Sequence, residues 1–217
     1  MPFSIEEFFQ LFGTYNLAIW PIHIIMFIFG VSVVVVALVK ETRTTSRIIA
    51  AVLAFFWLWM GIFYHFNFFA DINPAAMFFG IACIIEGGLL LFAGFLGLIR
   101  FHATKDMYGI IGWIFVLYGL VFYHLVGMLA GHCWPEMSVF GVAPCPTTIF
   151  TFGIFLWAKG HMPVWLIIIP LLWSLIGTST AISLGVPQDY GLLIAGVAGF
   201  VLVLVKNKTL KRGKAAT

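Results

Sequence analysis

The sequence predicts an all-α membrane bundle of seven transmembrane helices, with the N-terminus outside and the C-terminus in the cytoplasm. Three observations lead there. Of 217 residues, 63% are apolar and only 9% charged, against roughly 25% charged in a water-soluble domain. The apolar residues fall into seven runs, 17–39, 48–69, 75–99, 108–130, 147–158, 164–184 and 191–205. All eleven Lys and Arg fall on one side of a seven-span arrangement, and basic residues are retained in the cytoplasm. An even number of spans would break that segregation. A soluble enzyme, a nucleic-acid binder and a disulfide-rich secreted module are excluded, and the net charge of +3 reflects topology.

Taken in order, residues 1–16 read as an N-terminal interfacial segment. Ser4 with Glu7 forms a capping box, and Phe3, Phe8, Phe9, Leu11 and Phe12 suit a short helix lying in the interface. The first 15 residues carry Glu6 and Glu7 and no basic residue, unlike a cleavable leader. Residues 17–205 form the membrane domain. Five runs have 21 to 25 residues, enough to cross a hydrocarbon core of about 30 Å. The fifth and seventh have only 12 and 15. Lys40, Arg43, Arg47, Arg100, Lys105 and Lys159 occupy the cytoplasmic loops, and residues 206–217 are a basic cytoplasmic tail. Glu6, Glu7, Asp71, Glu136 and Asp189 fall outside.

The runs look repetitive. Phe63-Tyr64-His65 near the outer end of helix 2 recurs as Phe122-Tyr123-His124 near that of helix 4. Each precedes a proline, Pro74 or Pro146, that opens the next descending helix, and Pro187 marks a weaker third copy. Parallel helical-hairpin repeats (2–3, 4–5, 6–7) plus helix 1 would explain the odd count, as in transporter folds. Against this, the chain has 24 Phe, and proline at a first helical position is ordinary helix-start chemistry.

Glu86, near the middle of helix 3, is the most costly residue, since an acid at that depth costs roughly 2.5–3.5 kcal/mol on insertion scales. It shares a narrow face with Ala82, Cys83, Ala93 and Gly97. It reads either as a proton- or cation-binding carboxylate or as a neutral glutamic acid holding two helices in register. His65, His124 and His23 lie at similar depth, roughly 6–9 Å below the outer surface for the first two. Tyr64 and Tyr123 stand beside two of them, and Asn67 is nearby. Such imidazoles bind a metal, titrate near neutral pH or ligate haem; a lone membrane histidine more often bonds a neighbouring helix. His65 and His124 as axial haem ligands make an intramembrane redox protein one alternative.

The loop 131–146 is the most distinctive segment, with His132, Cys133, Glu136 and Cys145. Helix 5 would be only about 19 Å long, so its N-terminus must start below the outer surface, near the depth of His124. Cys133 and Cys145 form a disulfide, bind Zn or Cu with His132 or His124, or stand unlinked. No nucleotide-binding glycine loop, HExxH helix or GxSxG elbow is present, so nothing points to an enzyme. Asn73-Pro74-Ala75 lacks the second half-helix of an aquaporin, and no lysine inside the last helix could hold retinal.

Polar residues crowd the outer half, and the inner half is nearly all apolar. An outward-facing polar cavity with Glu86 at its base fits that distribution better than an open pore. The expected ligand is a small solute or metal ion, bound by His65, His124, Tyr64, Tyr123, Asn67, Cys145 and Glu86, in a proton-coupled transporter. A non-catalytic assembly or sensor subunit is the other alternative. The expected partners are the lipid bilayer and the solute, with no nucleic acid, and a homo-oligomer is compatible with the sequence.

The stretches Trp57-Leu-Trp-Met-Gly-Ile-Phe-Tyr-His, Phe68-Phe-Ala-Asp-Ile-Asn-Pro-Ala-Ala and Pro144-Cys-Pro-Thr-Thr-Ile-Phe-Thr-Phe-Gly resemble a bacterial family of small polytopic membrane proteins of unknown function. The resemblance covers nearly the whole chain and implies a bacterial inner-membrane setting. It brings no activity, ligand or cofactor with it. Its pattern includes the cysteine at 145 and not that at 133, which counts against the paired thiols.

Overall fold

The computed structural model describes residues 2–215, with side chains as far as 211, so the side chains of Arg212 and Lys214 and the last two residues of the basic tail lie outside what is described. Those residues form helices α1 (Ile5–Ala18), α2 (Ile22–Leu38), α3 (Arg43–Trp59), α4 (Ala76–Leu96), α5 (Met107–Leu117), α6 (Tyr123–Leu129), α7 (Pro144–Leu156), α8 (Trp165–Leu184) and α9 (Tyr190–Ala215). A π-helical segment, Met60–Phe66, continues α3, and a second, Tyr118–Phe122, joins α5 to α6. Among the described residues there is no β-strand, only an isolated bridge between Phe101 and Ala158.

Five helical stretches are long and apolar enough to cross a membrane, and the bent pair α1–α2 makes a sixth if counted as one span. Their outer faces are as apolar as a core: Phe78, Phe95, Ile182 and Ile194 are all more than half exposed. In water such a surface would aggregate; hydrocarbon is its natural surrounding. Ser4 caps α1 through the expected box with Glu7. The helix runs further than the sequence indicates, to Ala18, before turning 88° into α2. The first run is thus divided: its start lies in α1, and α2 keeps 17 residues. At the far end, α9 continues through the boundary at 205 without a break.

Helix α7 is the centre of the bundle. Ile149, Phe150, Phe152, Ile154, Phe155 and Leu156 are fully buried, and it packs on α5, α8 and α9. Its 13 residues measure only about 20 Å. The chain therefore reaches its start through loop 131–143, which dips among the helices so that Phe140, Val142 and Ala143 are fully enclosed. Irregular backbone at that depth is tolerated only when protein groups satisfy it. Tyr15 Oη donates to the Val142 carbonyl (3.0 Å), and Asn16 Nδ2 donates to those of Pro135 and Met137 (2.6 and 2.8 Å). The Phe140 N–H donates to His124 Nε2 (3.1 Å), and the Gly141 N–H donates to Thr147 Oγ1 (2.9 Å).

The hairpin pairs α3–α4, α5–α7 and α8–α9 pack against each other. Lipid is as apolar as leucine, so close backbone approach has to hold such pairs together. Gly80, Gly87 and Gly94 recur every seven residues along α4 and face Gly61, Leu58 with Ala54, and Ala50 of the preceding helix. Gly97, expected on the face of Glu86, instead ends α4 with φ +71° beside the Arg43 guanidinium. On α7, a methyl group at Gly153 would lie 2.7 Å from Val116 Cγ2 and 2.8 Å from the Gly112 carbonyl.

The basic residues gather at one end. Arg43 and Arg47 donate to the Leu96 and Phe95 carbonyls at the end of α4, and Lys206 Nζ donates to the Leu156 and Ala158 carbonyls at the end of α7. Each places a cation at a helix C-terminus, where the dipole favours it. Glu41 bridges Lys159 (2.8 Å) and Arg100 (3.0 Å), and those two cations hold its carboxyl below the ordinary carboxylate range.

Two outcomes follow. Gly153→Ala should lower stability in detergent by roughly 1–3 kcal/mol, the usual cost of overpacking, measured by chemical unfolding. A carboxylate whose pKa falls on folding stabilises above its unfolded pKa and loses that contribution as pH drops through the folded value. Glu41→Gln should therefore reduce the Tm modestly at neutral pH, and the difference should shrink as the pH falls below the ordinary glutamate range, in a thermal-denaturation series.

Candidate functional site

The two Phe-Tyr-His motifs sit at the two π-helical segments. The first lies wholly within Met60–Phe66, and the second begins on the last residue of Tyr118–Phe122. In each, the glycine ahead of the motif approaches a descending helix. A methyl group at Gly61 would lie 2.7 Å from the Gly80 carbonyl, and one at Gly119 would lie 2.6 Å from that of Pro146. Only hydrogen fits there. π-turns are frequent at functional sites because the extra residue re-aims the side chains that follow.

What these segments bring together is the tyrosine pair. Tyr64 and Tyr123 are both buried. Tyr123 Oη donates to Asp189 Oδ1 at 2.6 Å, and Tyr64 lines a cavity with Asp189 and Cys145. The Cys145 thiol, in the first turn of α7, stands within reach of Asp189, Tyr123 and Trp173. Asp189 ends a short turn, Pro187–Asp189, that leads into α9. The chain nearby is pinned by Tyr118 Oη donating to the Gln188 carbonyl (2.9 Å) and Gln188 Nε2 donating to His132 Nδ1 (3.0 Å). The cavity above encloses about 90 Å³. Phe69, Phe79 and Trp173 wall it, Phe3 and the α1 residues Phe8 and Phe12 cover it, and Asn73 and Thr180 add polar atoms. Asn73 also caps the turn before α4, its Oδ1 accepting from the Ala75 N–H (3.1 Å).

The histidines do not join this group. Successive helical residues point about 100° apart, so tyrosines that converge leave the adjacent imidazoles pointing elsewhere. His65 is fully buried behind the cavity wall, ringed by Tyr64, Phe69, Phe79 and Trp173 with centroids 4.9–5.9 Å away. Neither of its ring nitrogens has a hydrogen-bond partner. His124 lines a separate lateral groove with His23 and Phe27, and its Nε2 is already taken by Phe140. His23 bonds Asn16 Oδ1 (3.1 Å). The expectation that His65 and His124 line one site, or ligate one haem, is therefore corrected.

Other expected residues also lie elsewhere. Asn67 is exposed on the surface. Glu86 is fully buried on α4, outside the cavity lining, and neither carboxylate oxygen has a partner. Cys133 is exposed in a second pocket with His132, Trp134 and Glu136. Helix α1 separates the two pockets, presenting Phe8 and Phe12 to the first and Phe9 and Gln10 to the second. Cys83, Cys133 and Cys145 are free thiols, so the disulfide reading is corrected. Among the described residues no three His, Cys, Asp or Glu side chains are placed to share a metal ion, which corrects the Zn or Cu set of His124, His132, Cys133 and Cys145.

Sequence reasoning missed Asp189 and Trp173. Asp189 has a signal, since it follows the proline of the third repeat copy directly into the last span. Trp173 has none within its apolar run.

Native protein should carry three free thiols by intact mass. Cys133 should react first with a maleimide, Cys145 more slowly through the roof of the cavity, and Cys83 only after unfolding. A mass lower by two hydrogens would contradict the unpaired state.

No curated protein and no solved structure matches the chain. A family model does match, over residues 5–214, nearly the whole sequence. The chain belongs to that family, described as a family of unknown function (DUF6064).

Proposed function

We propose that the protein spans the bacterial inner membrane seven times, with its N-terminus in the periplasm, and carries a small solute through the cavity beneath α1, coupled to protons. The count of seven takes the α1–α2 pair as one span and α7 as another. α7 is reached from outside by the buried loop and from inside by the Phe101–Ala158 bridge. The clustering of cations at the opposite end from the cavity supports the orientation.

The observation that carries the transport reading is a set of buried polar groups left without partners beneath the cavity. His65 lies behind its wall, and Glu86 deeper on α4. Glu86 follows Phe79, a wall residue, by seven positions, about 10 Å along the helix axis. Native proteins leave few buried polar groups unsatisfied, and each needs a reason. An unpaired acid in a membrane helix marks a proton or ion path by default. A purely structural glutamate would hydrogen-bond the next helix, and this one does not.

Proteoliposomes loaded with a pH-reporting dye should acidify when at least one class of small solute is added outside. Glu86→Gln should abolish the acidification and leave solute binding intact. Binding without coupled proton movement would reduce the protein to a sensor or assembly subunit. An impermeant thiol reagent reaching Cys133 only from the cytoplasm would overturn the orientation.

A further inference from the structure

The cavity's chemistry is uneven. Its walls and roof are aromatic, among them Phe8, Phe12, Phe69, Phe79 and Trp173, and its one ionisable carboxylate is Asp189. Asp189 is only 4% exposed. Its hydrogen-bond donor is a phenol, Tyr123, and the group beside it is a thiol, Cys145. Neither brings a positive charge. Among the described residues the ion pairs are both Glu41's, at the other end of the bundle, where Arg43, Arg47 and Lys206 are also engaged with helix ends. A buried carboxylate without a cation is expensive. Here it opens onto an empty space walled by π faces, and π faces attract cations.

We propose that the cavity takes a small organic ammonium ion, with Asp189 as its counter-charge and the aromatic walls as its cage. This rests on the solute-binding reading above and names its substrate class. Size limits the ligand. A cavity of about 90 Å³ closely walled by rings suits methylated or short-chain amines better than larger molecules. A hard metal ion would need several oxygen ligands, and the cavity offers one carboxylate. An anion would meet Asp189, and a neutral solute would leave its charge unanswered. The thiol and the Asn73 and Thr180 side chains can accept the N–H groups of an incompletely methylated amine.

The test uses the full chain purified in detergent, with binding read by calorimetry and by tryptophan fluorescence. The probes are tetramethylammonium and methylammonium chloride, with potassium chloride and tert-butanol as the inorganic and neutral controls. At least one ammonium probe should bind saturably and raise the Tm, and the controls should not. Asp189→Asn should weaken ammonium binding at least tenfold. Trp173→Leu, which keeps the carboxylate, should weaken it about threefold or more, so the inference stays testable if Asp189→Asn fails to fold. Ammonium binding unchanged in either variant, or matched by potassium, would overturn the inference. Binding of tert-butanol alone would overturn it and leave a solute-binding cavity in place. Failure of every probe to bind would remove both.

Discussion

The architecture turns on the burial of a helix too short to cross a bilayer. α7 has 13 residues, and every one of its faces meets protein. Its ends must therefore be met part-way, by loop 131–143 on one side and by the 100–103 and 157–159 segments on the other. Non-helical backbone at such depth needs partners, and the molecule supplies them from elements distant in sequence. Tyr15, Asn16 and His124 serve loop 131–143. At the other end of α7, Ser46 accepts from the Phe101 N–H, the Lys159 N–H donates to the Arg100 carbonyl, and Trp157 Nε1 donates to the Gly109 carbonyl. The depth of Cys145, and with it the depth of the cavity floor, follows from where α7 begins.

Electrostatics divide the molecule the same way. One end collects cations and uses them to close helix C-termini. The other collects acids, and its one buried acid faces a cavity. Between the ends lies apolar packing held by glycine contacts, interrupted by the unpartnered oxygens of Glu86. A ligand that entered beneath α1 would meet aromatic rings first and a carboxylate last.

Much of the fold was legible because apolar run length and the placement of Lys and Arg are one-dimensional signals. The Ser4–Glu7 box, a separate N-terminal helix, the hairpin pairs and the buried start of α7 all follow from them. The site was legible in part. Repetition of Phe-Tyr-His flagged Tyr64 and Tyr123, and the shortness of helix 5 flagged Cys145, and those three do converge. The histidines were misjudged because depth is readable from position in a run, whereas azimuth is not. A π-turn shifts azimuth by one residue without altering hydropathy, so His65 and His124 share a depth and face different surroundings. Asp189 was grouped with the outer acids because the sequence does not show that its turn folds inward under α1.

The contacts of Lys206 carry a consequence for biogenesis. The carbonyls at the end of α7 are satisfied by a side chain near the end of the last helix, and the Met162 backbone is bonded on both sides by Asn207. Tyr123, from the fourth run, finds its acceptor only at Asp189. A nascent chain that has emerged only through α8 thus holds an unfinished centre. The packing around α7 is complete only once the final segment has been synthesised and closes around it.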